Sequence, residues 1–210
     1  MNKTTGILFI ISAPSGTGKT SLIQEVLKQQ LIVSAQLSIS HTTRKKRSQE
    51  LNGVHYYFIS NEKFCNMIQN EEFVEYAKIF GNFYGTSRAS IQTILSTGIN
   101  VVLDIDWQGA QQIRKKISTF TSSIFILPPS KEELVRRLYY RGQESQQSIT
   151  QRIAQAVSEM KHYYEYDYLI INDIYEQAVL DLKYIINAES LKKNQQVQRH
   201  SNLITTLLKN

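Results

Sequence analysis

The sequence lacks any long hydrophobic run and contains very little cysteine. No apolar stretch approaches the roughly 20 residues that a membrane-spanning helix needs, so no such helix is predicted. The single cysteine, Cys65, excludes an internal disulfide and a cysteine-rich zinc site. Its helix-like neighbours favour a buried or half-buried thiol. With 41% hydrophobic and 20% charged residues, the 210-residue chain has the composition of a globular protein with one substantial core.

The charge balance indicates anionic partners without identifying them. The net charge is +6, and the block Arg44–Arg47 is the densest basic stretch. For such a block alone, a solvated loop or a nucleic-acid patch is the usual interpretation. The polar segment 191–210 is mildly basic and predicts a C-terminal tail or helix. The apolar run near the N-terminus leads into a glycine-rich loop, so we interpret it as a core strand rather than a signal segment and expect a cytoplasmic protein.

Apolar runs that predict strands alternate with amphipathic segments that predict helices. Strands are predicted at 7–12, 99–103, 123–127 and 168–171, and helices at 108–116, after a Ser130/Glu133 capping box, from near Ser148, and at 178–186. This alternation predicts a parallel sheet that is covered by helices on both faces. Between residues 41 and 84 the rhythm changes to short aromatic strands, at 55–59 and 73–76, which predict a small inserted mixed sheet.

A phosphate-binding loop follows the first predicted strand. Residues 13–20, APSGTGKT, match the pattern G-x-x-x-x-G-K-[ST] with alanine at the first glycine position. Such a loop points its amides at phosphate oxygens at the start of a helix, where the helix dipole favours anions. The candidate ATP-binding residues are Ser15, Gly16, Thr17, Gly18, Lys19 and Thr20. Lys19 is expected to reach the β- and γ-phosphates, and Thr20 to orient Mg²⁺.

Two absent motifs narrow the class of nucleotide-binding protein. The chain has no Asn-Lys-x-Asp sequence, which argues against a signalling GTPase, and no Leu-Ser-Gly-Gly-Gln, which argues against a transporter ATPase. Asp104 and Asp106 follow a buried strand, where a metal or a polar substrate is met. We predict Asp104 and Thr20 as the Mg²⁺ residues, directly or through water. For Asp106 a cap on the following helix is the alternative.

Several further segments occur in a characteristic order. They are SHTTR at 40–44, Arg47, GVHY at 53–56, FVE at 73–75, GNFYGT at 81–86 and LDID at 103–106. With the phosphate loop, the sequence closely resembles the guanylate kinase family of P-loop nucleoside monophosphate kinases, in particular its bacterial members, over nearly the whole chain. The resemblance implies transfer of the γ-phosphoryl group of ATP to GMP, with Mg²⁺ as cofactor.

The resemblance also implies an acceptor site. Arg44, Arg47, Tyr56 and Tyr84 would hold the phosphate of GMP, since two guanidinium groups and phenolic donors suit a dianion. Glu75, helped by Asp106, would accept from guanine N1 and N2, and Ser40 and Thr86 would donate to O6. Adenine reverses that order of donors and acceptors. The loop at 45–50 lacks the prolines and glycine of many relatives, which leaves its stiffness open, and Phe83 stands where tyrosine is common.

A helical lid is implied at residues 128–160. Arg137 and Arg141 are four apart and share a helix face. With Arg152 and Lys19 they are the candidate catalytic residues, which would stabilise charge on the transferring group. Asn172 matches a family position near the adenine, and a strand-end turn residue is an equal alternative.

The expected architecture is an α/β P-loop fold in three parts. The parts are a parallel-sheet core (1–37, 89–127 and 161–190), a GMP-binding lobe (38–88) and the lid. We expect ATP and GMP as partners, leave dGMP and homo-oligomerisation open, and expect neither nucleic acid nor membrane. The rivals are a non-catalytic guanylate-kinase-like binding module, a kinase for another monophosphate and a nucleic-acid binder. The retained Lys19, the lid arginines and Glu75 favour the enzyme.

Overall fold

The protein alternates strands and helices along most of its length. A computed structural model describes residues 5–79, 81–117, 120–140 and 146–209. Within these ranges the strands are β1 (Leu8–Ser12), β2 (Ala35–Leu37), β3 (His41–Thr42), β4 (Tyr57–Phe58), β5 (Phe73–Ile79), β6 (Asn82–Ser87), β7 (Asn100–Asp104), β8 (Thr121–Leu127) and β9 (Tyr168–Ile171). The helices are α1 (Lys19–Lys28), α2 (Asn61–Gln69), α3 (Arg88–Leu95), α4 (Trp107–Lys116), α5 (Lys131–Tyr140), α6 (Gln146–Met160), α7 (Tyr175–Leu191), α8 (Lys193–Arg199) and α9 (Ser201–Leu207), with a 3-10 turn at Lys161–Glu165.

The core is a five-stranded sheet in the order β2-β7-β1-β8-β9, in which every pairing is parallel. Its inner strands β7, β1 and β8 are buried on both faces, because successive side chains point to opposite sides and helices cover each side. In β1, Phe9 and Ile11 belong to the cluster that α1 and α7 complete, whereas Leu8 and Ile10 belong to the cluster of α3 and α4. The predicted parallel sheet with two covered faces is confirmed.

A second sheet, in the order β4-β3-β6-β5, is mixed, as predicted, because β3 and β4 run parallel and the other pairs antiparallel. Phe64 of α2 stacks on Phe73 and Phe83 with ring centroids 4.5 and 5.3 Å apart. Gly85 permits this contact, since a Cβ there would lie 2.9 Å from Phe64. The sheet therefore rests on its own small aromatic cluster.

Some predicted details were wrong. The strand predicted at 55–59 is only Tyr57–Phe58, because Leu51 donates to Nδ1 of His55 and Gly53 donates to the Tyr56 carbonyl, which forms a turn. Cys65 is exposed, since Phe64 and Met67 occupy the inward face of α2.

Helix boundaries also differ from the predicted ones. The last core helix extends beyond 178–186 to Tyr175–Leu191, and α6 begins at Gln146 rather than near Ser148. The segment after α7 forms α8 and α9. Ser130 caps α5 through the Glu133 amide, whereas the Glu133 carboxylate pairs with Arg136 and Arg137. In the described part of the chain, no helix has both the length and the apolar character needed to cross a membrane.

Candidate functional site

The phosphate loop joins the end of β1 to the start of α1. Gly16 and Gly18 have φ angles of 91° and 96°, in the left-handed region that favours glycine. A Cβ at Gly16 would lie 2.9 Å from Leu138, and one at Gly18 would lie 2.8 Å from Asn172 Nδ2. Space and backbone conformation therefore both require glycine at these two positions. The neighbouring Thr17 is fully buried, whereas Ser15 is exposed.

Lys19 and Thr20 both contact the aspartate at the end of β7. Lys19 Nζ lies 2.6 Å from Asp104 Oδ1 and donates to the Ile105 carbonyl at 2.9 Å. Thr20 Oγ1 donates to Asp104 Oδ2 at 2.8 Å. The parallel pairing of β1 with β7 brings these residues together from positions 84 or more apart. In the described part of the chain, no cluster of three or more His, Cys, Asp or Glu could hold a metal. Thr20 and Asp104 nevertheless suit Mg²⁺, which takes one or two protein oxygens together with phosphates and water.

Three of the four predicted base-reading residues, Ser40, Glu75 and Asp106, line one cavity of about 250 Å³, together with Lys19, Tyr56, Tyr84 and Asp104. The fourth, Thr86, is fully buried and does not line this cavity. Glu75 is 4% exposed and accepts a short hydrogen bond from Thr86 Oγ1, which itself lies 3.5 Å from Ser40 Oγ. Burial raises the pKa of Glu75 to about 7, the Thr86 hydrogen bond opposes that shift, and the nearby Asp106 adds to it. Glu75, Thr86 and Ser40 thus form a continuous polar group, of which Glu75 and Ser40 line the cavity.

The start of α4 shapes the same cavity. Asp106 caps this helix, because its side chain accepts a hydrogen bond from the Gly109 amide at 2.8 Å. The helix cap that was the alternative for Asp106 is therefore present, and the same side chain also lines the cavity. A Cβ at Gly109 would lie 2.7 Å from Glu75 Oε2. Sequence reasoning missed Gly109, because a glycine inside a helix carries no local signal for a carboxylate that lies on a distant strand.

Arg44 is held by a residue that sequence reasoning also missed. Its Nη2 and Nη1 atoms donate to the two carboxylate oxygens of Glu50 at 2.6 and 3.0 Å, and Nη1 donates to the Lys45 carbonyl at 2.9 Å. These contacts lower the pKa of Glu50 to about 2. Glu50 thus bonds the two terminal nitrogens, and among the described residues no carboxylate accepts from Nε. The Arg44 guanidinium lies 5.5 Å from the centre of the Tyr56 ring, and the Tyr56 and Tyr84 rings are 5.9 Å apart.

Arg47 takes part through its backbone. Its amide donates to Glu50 Oε2 at 2.8 Å, whereas its side chain is exposed. Glu50 therefore connects the positions of both arginines that are predicted to bind phosphate. The loop at 45–50, which lacks proline, is held by this one carboxylate.

Arg137 and Asn172 both contact the backbone of the phosphate loop. Arg137 donates to the carbonyls of Thr17 and Asn172 at 3.2 and 3.1 Å and pairs with Glu133 at 2.7 Å. Asn172 is 3% exposed and donates from Nδ2 to the Thr17 carbonyl at 2.6 Å. Arg152 is half-buried on α6. Arg141 lies outside the described residues.

A second cavity, of about 230 Å³, lies over the phosphate loop and adjoins the first. It is lined by residues 13–16 and 18–20 of the loop, and by Ile79, Asp106, Gln155 and Glu159. The two cavities share Lys19, Asp106 and Ile79. Glu159, a further residue that was not predicted, is half-buried, and its pKa is raised chiefly by that burial. The two cavities therefore meet at Lys19, Asp106 and Ile79.

A phosphate loop at the carboxyl end of a central parallel strand, next to a second polar cavity, defines the class of P-loop kinases. The family model described as "Guanylate kinase" matches residues 5–189. Guanylate kinases of Yersinia pestis and Escherichia coli K12 are 59% and 57% identical over 203 residues, which is 97% of this chain and 98% of each relative. The crystal structure of guanylate kinase from Anaplasma phagocytophilum superimposes with a TM-score of 0.77 at 32% identity, covering 99% of this chain and 98% of that one. The chain belongs to the guanylate kinase family.

Proposed function

We propose that the protein transfers the γ-phosphoryl group of ATP to the phosphate of GMP, giving ADP and GDP, as a step of purine nucleotide metabolism. The observation that carries this proposal is that the phosphate-loop cavity and the Glu75 cavity share Lys19 and Asp106. Phosphoryl transfer needs donor and acceptor in line with charge neutralised between them, and two adjoining cavities provide such an arrangement. A cytoplasmic location, where both nucleotides occur, accords with this function.

ATP would bind with its phosphates on the amides of residues 15–20. Lys19 would neutralise charge on the β- and γ-phosphates, and the helix dipole of α1 adds to that effect. Thr20 and Asp104 would hold Mg²⁺, directly or through water, and the ion would supply charge neutralisation on the phosphates. Asn172 and Arg137 stabilise this loop by donating hydrogen bonds to the Thr17 carbonyl.

The guanine base would be recognised by the polar group that Glu75, Thr86 and Ser40 form at the acceptor cavity. Ionised Glu75, with Asp106, accepts from N1 and N2, and the hydroxyls of Ser40 and Thr86 donate to O6. Adenine would leave these buried groups unpaired, and such mismatches discriminate by factors on the order of 10⁴. This reading applies equally to dGMP, since the ribose 2′-hydroxyl is not part of it.

The acceptor phosphate would bind at the edge of Arg44 that Glu50 leaves open, with Arg47 and the hydroxyls of Tyr56 and Tyr84. A guanidinium edge suits two phosphate oxygens at once. No general base is needed, because the attacking phosphate oxygen is already an anion at neutral pH. The proposed lobe at 38–88 carries this half of the site, and the core at 1–37, 89–127 and 161–190 carries the ATP half.

Residues 128–160 would act as a lid that closes over ATP. Arg137, Arg141 and Arg152 would then stabilise charge on the transferring group, and closure would exclude the water that hydrolyses ATP. Arg137 donates hydrogen bonds to the backbone carbonyls of Thr17 and Asn172. It would therefore have to exchange these partners in order to contact phosphate.

The test measures ADP formation from ATP and Mg²⁺ with GMP, AMP, UMP and dTMP each offered as acceptor. We expect turnover with GMP, and a fall in kcat of about 100-fold or more for Lys19→Ala. Arg44→Ala should chiefly raise the KM for GMP. Preference for another acceptor would refute the reading of guanine. Folded protein that binds GMP but transfers nothing would instead be a binding module.

A further inference from the structure

A separate cavity of about 480 Å³ lies beside β5 and shares no lining residue with the two nucleotide cavities. Its walls are formed by Ile68, Glu71, Phe73, Tyr76, Arg88 and Lys116. Five of these residues come from four elements (the ends of α2 and α4, strand β5 and the start of α3), and Glu71 lies in the turn between α2 and β5. The volume falls within the roughly 300–1,000 Å³ that small-molecule sites occupy.

Two cations line this cavity, and among the described residues neither forms an ion pair. Arg88 is half-buried, and within the described part of the chain its guanidinium forms neither a hydrogen bond nor an ion pair. It is the first residue of α3, where the helix dipole disfavours a positive charge. Lys116 is exposed and donates to the Val74 carbonyl at 3.2 Å, and its charge also acts to lower the pKa of Glu75. Of the two, Arg88 is the half-buried cation, and leaving its charge without a partner costs free energy that a bound anion would offset.

Three of the other four lining residues, Ile68, Phe73 and Tyr76, form an apolar wall whose aromatic members contact neighbouring elements. Tyr76 is 37% exposed, and its backbone is fixed to Gln112 of α4 by two hydrogen bonds, of 3.1 and 2.7 Å. Phe73 is stacked on Phe64, and Ile68 is half-buried beside it. Glu71 contributes one carboxylate against the two cations. The cavity thus combines a positively charged end, a preformed aromatic wall and one acceptor.

We propose that this cavity is a second ligand site, for a small phosphorylated molecule with a planar ring, distinct from both substrate sites. Arg88 and Lys116 hold the phosphate, because two cations suit a dianion. The ring lies against Tyr76 and Ile68, and Glu71 accepts a hydrogen bond from a ring N–H or amino group. Lys116 bonds the carbonyl of Val74, next to Glu75 in sequence, so an occupant contacts the strand that carries the guanine-reading carboxylate.

The test uses 1-anilinonaphthalene-8-sulfonate as the probe, since it carries an anion and planar rings and becomes fluorescent when bound. The full chain is titrated with the probe while saturating ADP and GMP occupy the substrate sites. We expect the wild-type protein to bind it, and the double variant R88A/K116A to bind at least about 10-fold more weakly, as for loss of charged contacts. The matched control is Lys115→Ala, an exposed lysine of the same helix that does not line the cavity.

A phosphorylated ligand is tested by displacement. Inorganic pyrophosphate should release the probe from the wild-type protein, and sodium chloride at equal ionic strength should not. Unchanged probe binding in R88A/K116A, loss of binding when ADP and GMP are present, or failure of pyrophosphate to compete would each overturn the proposal. If the double variant does not fold, Arg88→Gln and Lys116→Gln are measured separately with the same criteria. Turnover of GMP by the wild-type protein is scored independently, so either proposal can fail alone.

Discussion

The Glu75 carboxylate changes charge near neutral pH, because burial raises its pKa to about 7. Only the ionised form accepts from two guanine N–H donors, so GMP binding should weaken as pH falls. Between pH 8 and pH 6 the ionised fraction, and with it the affinity, drops about 10-fold. The measurement is the KM for GMP at saturating ATP across that range. Glu75→Gln is the control, since it retains the titration of GMP itself, and parallel profiles for both proteins would contradict the prediction.

The same carboxylate affects the stability of the ligand-free protein. Its pKa is raised from 4.5 in the unfolded chain to about 7 in the folded protein, so folding is not penalised below pH 4.5 and is penalised fully above pH 7. Glu75→Gln should therefore stabilise the protein more at pH 8 than at pH 5, by up to about 3 kcal/mol. Urea unfolding of both proteins at the two pH values checks this. An equal effect at both would mean that the carboxylate is not desolvated.

On the proposed function, Glu50 would position Arg44 without touching substrate. Glu50→Gln removes the charge that holds both terminal nitrogens of Arg44 and should raise the KM for GMP about 10-fold, the cost of one charged hydrogen bond. The kcat and the KM for ATP should change little. Glu62→Gln, an exposed glutamate of α2, is the matched control. A lower KM in Glu50→Gln would show that Glu50 competes with the phosphate instead.

Helix α4 can approach Glu75 closely because Gly109 has no side chain. In most helices Gly→Ala is favourable by up to about 1 kcal/mol, but Gly109→Ala would place a methyl group 2.7 Å from Glu75 Oε2. We expect a KM for GMP raised about 10-fold or more, with the KM for ATP unchanged, because displacing Glu75 removes a charged hydrogen bond. Steady-state kinetics with each substrate varied measures this. Normal GMP kinetics would show that the carboxylate can shift without loss.

The two C-terminal helices differ in how they are attached to the rest of the protein. Helix α8 contributes Gln195, which is 3% exposed, and Gln196 and Arg199, which donate to the Ser190 carbonyl at 2.9 and 3.4 Å. Helix α9 has no buried residue. Deleting residues 201–210 should leave the melting temperature nearly unchanged, whereas deleting 193–210 should lower it by several degrees, about 2–4 °C per kcal/mol lost.

The kinase activity provides the control for both deletions. The family match ends at residue 189, so GMP turnover at 25 °C should persist in each shortened protein. Thermal unfolding followed by circular dichroism gives the two melting temperatures. Equal losses of stability in the two deletions would contradict the distinction between α8 and α9.

Patterns within short stretches of sequence were sufficient for the architecture. The apolar run before the phosphate loop predicted β1, because a strand that is buried on both faces is apolar along its whole length. The loop APSGTGKT was predicted as a phosphate site from its own residues. Helix and strand ends were less well predicted, since they depend on turns such as the one at residues 51–56.

Contacts between distant segments could not be predicted in that way. Three such contacts each require that two particular segments approach one another. They are the hydrogen bonds between Arg44 and Glu50, the space that Gly109 leaves for Glu75, and the hydrogen bonds of Arg137 to the carbonyls of Thr17 and Asn172. The raised pKa of Glu75 has the same origin. Residue type sets its ordinary value, but burial by β5, β6 and α4 sets its value in the folded protein, because desolvation depends on everything that packs around the carboxylate.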